Sequence, residues 1–504
     1  MRFLLFFIVF ISYCLTSKEQ TPNSKVIFKT NGQFEIQGRI KNYTPVTNNQ
    51  VITFRTYDIE GRSKDTVIIP GNDGLFNLAL FQPYAGNIEM KFDDAWVTLY
   101  IPSVKKINLE INNSTWNSDQ SKSGSLKMSG EAGIITPLIL DFKNALKKEV
   151  FKTTVNWEDS SLNDETVAAI RITRMKEELA FLKNYTNKNK IKNTKFINWA
   201  KNEILYTTGF DIAFTSFTSS RKKSLTDQQL MKVLKDIPLT NQSAVYNSSY
   251  YNFVSVLAMD LVIIININPI YKDVAKPYGM NAIPVYLKKI DSYSTALAKE
   301  LMYYTVYFRH PQNKTDYYLE NFQTVIKEPY LKKLFAENKE KLFKPFEPFD
   351  LVKKIQQYKV HDSLKTRLID ILNSERNNNV FIDFWGDWCM PCMKEMPHYP
   401  EFIDQFKESQ PSFLFFAVLT EEKSAQAIKN KYAINGKFIV LNDIENNIMR
   451  NVLQFSGYPS HFVLKPGSLI VDNSISRITS GSSQLDKNVV ERVRKHFSSP
   501  TKQF

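Results

Sequence analysis

The chain has very little cysteine: Cys14, Cys389 and Cys392 are the only three among 504 residues. So few exclude a scaffold stapled by many disulfides and a cluster held by many thiolates. Histidine is nearly as scarce. There are five (His310, His361, His398, His461 and His496), and only His398 lies near the Cys389/Cys392 pair in sequence. A structural zinc site takes four ligands, and no second cysteine pair completes one here, so zinc is set aside. No apolar run reaches the ~20 residues that span a bilayer. No repeat of fixed period recurs. No arginine-and-aromatic motif that reads bases is present, so nucleic acid is not an expected partner.

What remains is ordinary globular material. Hydrophobic residues make up 43% and charged residues 23% of the chain, which argues against general disorder. A chain of 504 residues exceeds one core, so about two to four domains are expected. The net charge of +14 comes from lysines spread along the chain. That pattern gives a basic soluble surface and tolerates an anionic membrane nearby.

The N-terminus reads MRFLLFFIVFISYCLTSKEQ. Arg2, an apolar run from Phe3 to Tyr13 and a polar continuation fit a secretory signal peptide over residues 1–17. Cys14 is a candidate for acylation and hence for a lipid anchor. Tyr13 stands where a lipoprotein signal has a small residue, and plain cleavage between Cys14 and Ser17 competes. Either outcome implies the cell envelope, such as a periplasm. In that oxidising compartment Cys389/Cys392 is the one redox-capable pair of the exported chain.

Three regions follow. Residues 25–125 are β-rich: KVIFKT, FEIQGRI, QVITFRTYDI, DTVIIP, LFNLALF, NIEMKF, WVTLYI and KINLEI are short runs, many alternating in polarity, separated by turn residues. They predict an antiparallel β-sandwich-like domain. Residues 130–358 shift to three- and four-residue apolar spacing, as in DETVAAIRITRMKEELAFLKNY with Asp164 as its expected cap. They predict an α-helical domain, with FVSVLAMDLVIII (253–265) as a buried helix. Residues 362–504 alternate strand and helix: VFIDFW, a helix from Cys389 towards Phe406, SFLFFAVLT, helices over 424–433 and 446–454, a hairpin HFVLKP/SLIVDNS and a closing helix KNVVERVRKHF. That is an α/β domain with a mixed sheet.

The chemistry concentrates in FIDFWGDWCMPC, residues 381–392. A disulfide between cysteines three apart closes almost no loop and stabilises little. Redox exchange is the usual meaning of Cys-x-x-Cys after a strand in an α/β unit. The strand delivers Cys389 to a helix N-terminus, where free N–H groups favour a thiolate and make Cys389 the nucleophile. Cys392, one turn further, faces inward and resolves the mixed disulfide. Asp383 shares a strand face with Phe381 and Trp385. Burial there favours its neutral form and makes it a proton partner for Cys392.

These residues resemble the thioredoxin superfamily. The aspartate six positions before the first cysteine, the Phe-Trp that follows it, Trp388 directly before Cys389 and Pro391 before Cys392 are similar to its strand-and-active-site signature. The continuation CMKEMP resembles the TlpA-like branch of envelope thioredoxins. The resemblance implies that Asp383 is the buried acid, that Glu395 is a second acid beside it, and that Pro397 kinks the active-site helix. It also implies that Pro459 in SGYPSHFVLKPG is a cis-proline, with the Tyr458 backbone pairing with an extended substrate segment. Trp388, Met390, Pro391, Tyr458 and Pro459 would then contact substrate. The resemblance covers residues 362–504.

The expected function is an exported thiol–disulfide oxidoreductase acting on protein thiols and disulfides, with the Cys389–Cys392 disulfide in place of a cofactor. Met390-Pro391 places no histidine between the cysteines to stabilise the thiolate strongly. This favours a reductant over a strong oxidant, and a reductant in the envelope needs a membrane-derived electron donor. The competing readings are an oxidase or isomerase, and an envelope binding protein with a secondary redox site.

Overall fold

The computed structural model describes residues 28, 32–43, 51–93, 95–116, 122–154, 162–218, 227–267, 290–291, 296–309, 324–343, 346–358, 360–455, 457–475, 477–480 and 484–499. The signal-peptide reading, Cys14 and nearly all of KVIFKT fall outside these residues.

The β-rich region contains β1 (Gln33–Lys41), β2 (Ile52–Tyr57), β3 (Ser63–Ile68), β4 (Leu75–Phe81), β5 (Gly86–Phe92), β6 (Ala95–Ile101), β7 (Lys106–Asn112) and β8 (Leu126–Met128). They make two four-stranded sheets, β4-β1-β7-β8 and β3-β2-β5-β6. Side-chain alternation decides the buried face: in β1, Phe34, Ile36 and Ile40 are buried while Gln33, Arg39 and Lys41 are exposed. Phe54, Ile88, Phe92 and Trp116 join them in one core. The expectation of antiparallel pairing fails at one seam, because β1 and β7 run parallel with Gln37 opposite Asn108. Five strands intervene between them, and that long crossover permits a parallel pairing no tight hairpin could make.

The helical region contains α1 (Gly130–Lys148), α2 (Asp164–Lys188), α3 (Thr194–Thr218), α4 (Asp227–Asp236), α5 (Ser248–Ile267), α6 (Ala296–Arg309) and α7 (Pro329–Phe343). Their core is rich in buried tyrosine, including Tyr206, Tyr250, Tyr251 and Tyr304. Asn163, not Asp164, caps α2: its side chain accepts from Thr166 N–H. Asn163 holds the extended backbone an N-cap requires, and Asp164 is already the first helical residue. Among the described residues no helix is long and apolar enough to cross a membrane.

The C-terminal region contains β9 (Phe349–Asp350), α8 (Leu351–Gln357), α9 (Thr366–Ser374), β10 (Val380–Trp385), α10 (Met390–Glu395), α11 (Tyr399–Asp404), β11 (Ser412–Val418), α12 (Glu422–Lys431), β12 (Lys437–Leu441), α13 (Asp443–Leu453), β13 (Ser460–Lys465), β14 (Leu469–Ile475) and α14 (Lys487–Ser498). The sheet order is β12-β11-β10-β13-β14-β9. β10 is parallel to β11 and antiparallel to β13, so the sheet is mixed. β12 was not expected from the sequence; its five residues are mostly half-buried at the sheet edge and lack a clean apolar alternation. The sheet also reaches back to β9, upstream of residue 362.

All six residues of β10 are buried, as a central strand covered on both faces requires. Phe381 and Trp385 enter one core with Cys389 and Cys392. Ile382 and Phe384 enter the other with Leu351, Leu368 and Met449. Truncating a side chain such as Phe384 to alanine costs ~3–5 kcal/mol at such a site. The β-rich region touches this fold through α13: Lys91 pairs with Asp443, and Asn451 Nδ2 donates to Asp65 O at 3.3 Å.

Candidate active site

The loop after β10 is pinned before it reaches the cysteines. Asp387 N–H donates to Thr420 Oγ1 at 3.1 Å, and Trp388 Nε1 donates to Val418 O at 3.0 Å. Gly386 makes this possible: a Cβ there would lie 2.5 Å from Trp388 Nε1 and 2.9 Å from Val418 O. The loop needs a residue without a side chain at that close approach.

Cys389 is the N-cap of α10, and Cys389 and Cys392 form a disulfide. The Cys392 N–H points at Cys389 Sγ, 3.3 Å away. Pro391 lies in the first turn, where a missing N–H costs nothing because that donor has no helical partner. Cys392 is 1% exposed and Cys389 4%. In the disulfide form, then, the expected difference in exposure between them is small. After Glu395 the helix gives way to a 3-10 turn, Met396–His398, and resumes at Tyr399. Pro397 lies in that turn and has no N–H to continue the α-helical ladder.

Beneath the apolar strand lies a cluster of ionisable groups. Asp383 and Glu395 are both about 1% exposed. This places Glu395 in the interior of the domain. Tyr399 Oη donates to Asp383 Oδ2 at 2.7 Å. Glu395 Oε1 accepts from Ile478 N–H at 3.0 Å. Between the carboxylates stands His461, itself fully buried. Its Nε2 lies 3.3 Å from Asp383 Oδ1, 3.4 Å from Glu395 Oε2 and 3.2 Å from Tyr399 Oη. The two carboxylate contacts exceed the usual N–H···O range, so charge rather than hydrogen-bond geometry dominates them.

Burial by itself pushes the His461 imidazolium towards its neutral form. The charge and hydrogen bonding of Asp383, followed by those of Glu395, outweigh it and hold the pKa up at about 10. Burial, then the two carboxylate charges, pushes the Tyr399 phenol well above its ordinary value, so it stays a neutral donor.

A second loop approaches the disulfide from β13. Tyr458–Pro459 is a cis peptide. The Tyr458 ring meets the Trp388 ring edge-on at 5.6 Å between centroids, which brings the two loops side by side. Tyr458 Oη donates to Asn446 Oδ1 of α13 at 2.8 Å. Trp388 and Met390 keep 52% and 63% of their surface exposed. Leu419, which follows the carbonyl that anchors Trp388, keeps 67%.

The structure therefore gathers Asp383 with Glu395 and Trp388 with Tyr458. It adds His461, Tyr399 and Leu419, which the sequence reading did not assign to the site. Tyr399 had a readable signal, four residues after Glu395 along the helix that the sequence predicts from Cys389 towards Phe406. His461 had a weaker one, a histidine opening an apolar strand two residues after Pro459. Only the pairing of Asp383 with His461 across β10 and β13 reveals its partner.

Residues 354–473 match the model of the AhpC/TSA family. The C-terminal domain is thioredoxin-like. Similar proteins include the thiol-disulfide oxidoreductase ResA of Bacillus anthracis, 27% identical over 108 residues, covering 21% of this chain and 61% of that protein. ResA of Bacillus subtilis is 26% identical over 100 residues, covering 20% of this chain and 54% of that protein. The match thus spans at most about three-fifths of the length of these relatives. Among solved structures, the thioredoxin domain of a thiol-disulfide oxidoreductase from Bacteroides vulgatus is 19% identical, with a TM-score of 0.22, covering 25% of this chain and 84% of that one. StoA from Bacillus subtilis is 16% identical with a TM-score of 0.20, covering 25% of this chain and 84% of that one.

Proposed function

We propose that the protein is a thiol–disulfide oxidoreductase that reduces protein disulfides in the cell envelope. The observation that carries this reading is the Cys389–Cys392 disulfide at a helix start, beside the cis-Pro459 loop and in one core with the strand that holds Asp383. The thioredoxin-like family match of the C-terminal domain supports it.

In the reduced protein, the Cys389 thiolate is favoured by the N–H of Cys392 and the first turn of α10. It attacks one sulfur of a substrate disulfide, forming a Cys389–substrate bond and releasing the other sulfur as a thiolate. Cys392 gives its proton to the buried carboxylates and attacks Cys389 Sγ. The Cys389–Cys392 bond forms, the second substrate thiolate leaves, and two electrons have passed to the substrate. Trp388, Met390 and Tyr458 offer an apolar rim to the polypeptide around the scissile disulfide. Its backbone pairs beside Pro459 as an added strand.

A reductant fits Cys-Met-Pro-Cys because neither intervening side chain is a donor that would over-stabilise the thiolate. Reuse in an oxidising compartment requires a membrane-derived electron donor. The leader-like residues 1–17, with Cys14 as a lipid-anchor candidate, are consistent with that placement.

The test is trapping. Cys392→Ala in the native host should accumulate polypeptides disulfide-linked to Cys389. A protein without such adducts, or one whose reduction potential matches strong oxidants, would overturn the reductant reading.

A further inference from the structure

The two buried carboxylates pose a charge problem that the proposed reaction does not solve by itself. Asp383 and Glu395 share one dry pocket at about 1% exposure. Two carboxylates in such a pocket cannot both ionise without a cation, and one would keep its proton. A carboxyl that already holds a proton cannot take the one Cys392 must lose.

We propose that His461 is the positioning residue of the redox site: it stands as an imidazolium between Asp383 and Glu395, keeps both ionised, and so leaves the pair free to accept the Cys392 proton. The proposal rests on the oxidoreductase reading above and deepens it.

The geometry carries it. One ring nitrogen, Nε2, lies within 3.4 Å of oxygens from three elements: Asp383 on β10, Glu395 on α10 and Tyr399 on α11. Tyr399 cannot serve as the counter-ion, since it donates to Asp383 as a neutral phenol. Phe381 stacks on the imidazole with centroids 5.5 Å apart, and Ile475 is its register partner on β14. Asp383 and Glu395 are the charged groups that hold up its charge, and Tyr399 faces it as a neutral phenol.

The charges balance simply. With His461 protonated and both carboxylates ionised, the cluster carries one negative charge. Taking the Cys392 proton makes it neutral, a change that a dry interior favours. Replacing His461 by glutamine leaves two like charges. One carboxylate then stays protonated, and the remaining acceptor is a poor one. Cys392 deprotonates less readily, so its attack needs a higher pH. Cys389, at the helix start, is not part of the cluster.

The experiment uses the full-length reduced protein and an aromatic disulfide whose released thiol absorbs visible light. Attack by Cys389 releases one equivalent of that thiol, and attack by Cys392 releases the second. His461→Gln should leave the first release intact. It should slow the second ~10-fold near neutral pH and move its pH midpoint up by about one unit. Glu395→Gln added to His461→Gln removes the second carboxyl and leaves Asp383 as a single acceptor with no like charge beside it, so the double variant should move back towards the unmutated profile. A histidine that only packs gives additive losses instead.

Glu395→Gln alone leaves a neutral His461–Asp383 pair that would turn positive on taking the Cys392 proton, so it too should move the second-step midpoint up, whereas an uncharged His461 would leave Asp383 a freer acceptor and move it down. This variant keeps the test decisive if His461→Gln does not fold. Superimposable second-step profiles for the variants and the unmutated protein would overturn the role of His461 while leaving the oxidoreductase reading intact. Absence of the first release from the unmutated protein would overturn both.

Discussion

Asp383 and His461 are register partners on adjacent antiparallel strands, and their side chains meet 3.3 Å apart inside the core. An acid and a base that close, both out of water, make the centre of this domain sensitive to pH. The same pair links the strand before Cys389 to the strand after Pro459.

Stability should fall as the solution becomes alkaline. The His461 pKa is raised in the folded protein to about 10, against about 6.5 unfolded. Its contribution is therefore complete below about 6.5, declines as pH rises, and is gone once pH passes the folded value. Urea midpoints of the oxidised protein measured across this range should show the decline, and His461→Gln should flatten it. A wild-type midpoint constant from pH 6 to pH 10 would contradict the buried imidazolium.

Asp383→Asn keeps the shape of the side chain and removes its charge. Resolution by Cys392 should slow ~10²-fold or more, the usual range for a positioned proton acceptor. Formation of the mixed disulfide by Cys389 should change little. Stopped-flow kinetics of the two steps separates them, and equal slowing of both would argue that Asp383 acts only through packing.

Gly386→Ala places a methyl group against the Trp388 indole. The indole must move and give up its hydrogen bond to Val418 O, at a cost of ~1 kcal/mol. A shift in the Trp388 fluorescence contribution, assigned by Trp388→Phe, should accompany weaker binding of polypeptide substrates. An unaltered emission spectrum would mean that the loop absorbs the methyl without moving the ring.

Lys91 and Asp443 join the β-rich region to α13, the helix that also holds Tyr458 through Asn446. Both partners are partly exposed, so reversing one charge should cost under ~1 kcal/mol of stability. It should nonetheless loosen the contact. Limited proteolysis should cleave Lys91→Asp faster, and Lys91→Asp with Asp443→Lys should return the rate towards normal. Identical cleavage rates for all three proteins would remove this pair from the contact.

Much of the C-terminal domain could be read from residue order. VFIDFW announces a buried strand because six residues carry one polar side chain, and that residue, Asp383, is indeed enclosed. Cys389 and Cys392 stand at the helix start their spacing implied. β12 escaped notice because an edge strand with half-buried side chains leaves no period for a sequence to display. The parallel seam between β1 and β7 escaped for another reason: alternation reports which face is buried and says nothing about strand direction.

The sequence by itself determined the make-up of the loop. A helix start after an apolar strand, two cysteines one turn apart and the want of other ligands are local facts, and local spacing carries them. The tertiary structure decided what surrounds that loop. It enclosed Glu395 in the interior, and it brought His461 across 78 residues of chain to stand opposite Asp383. Burial and cross-strand register depend on how the whole sheet pairs, and no short stretch encodes them.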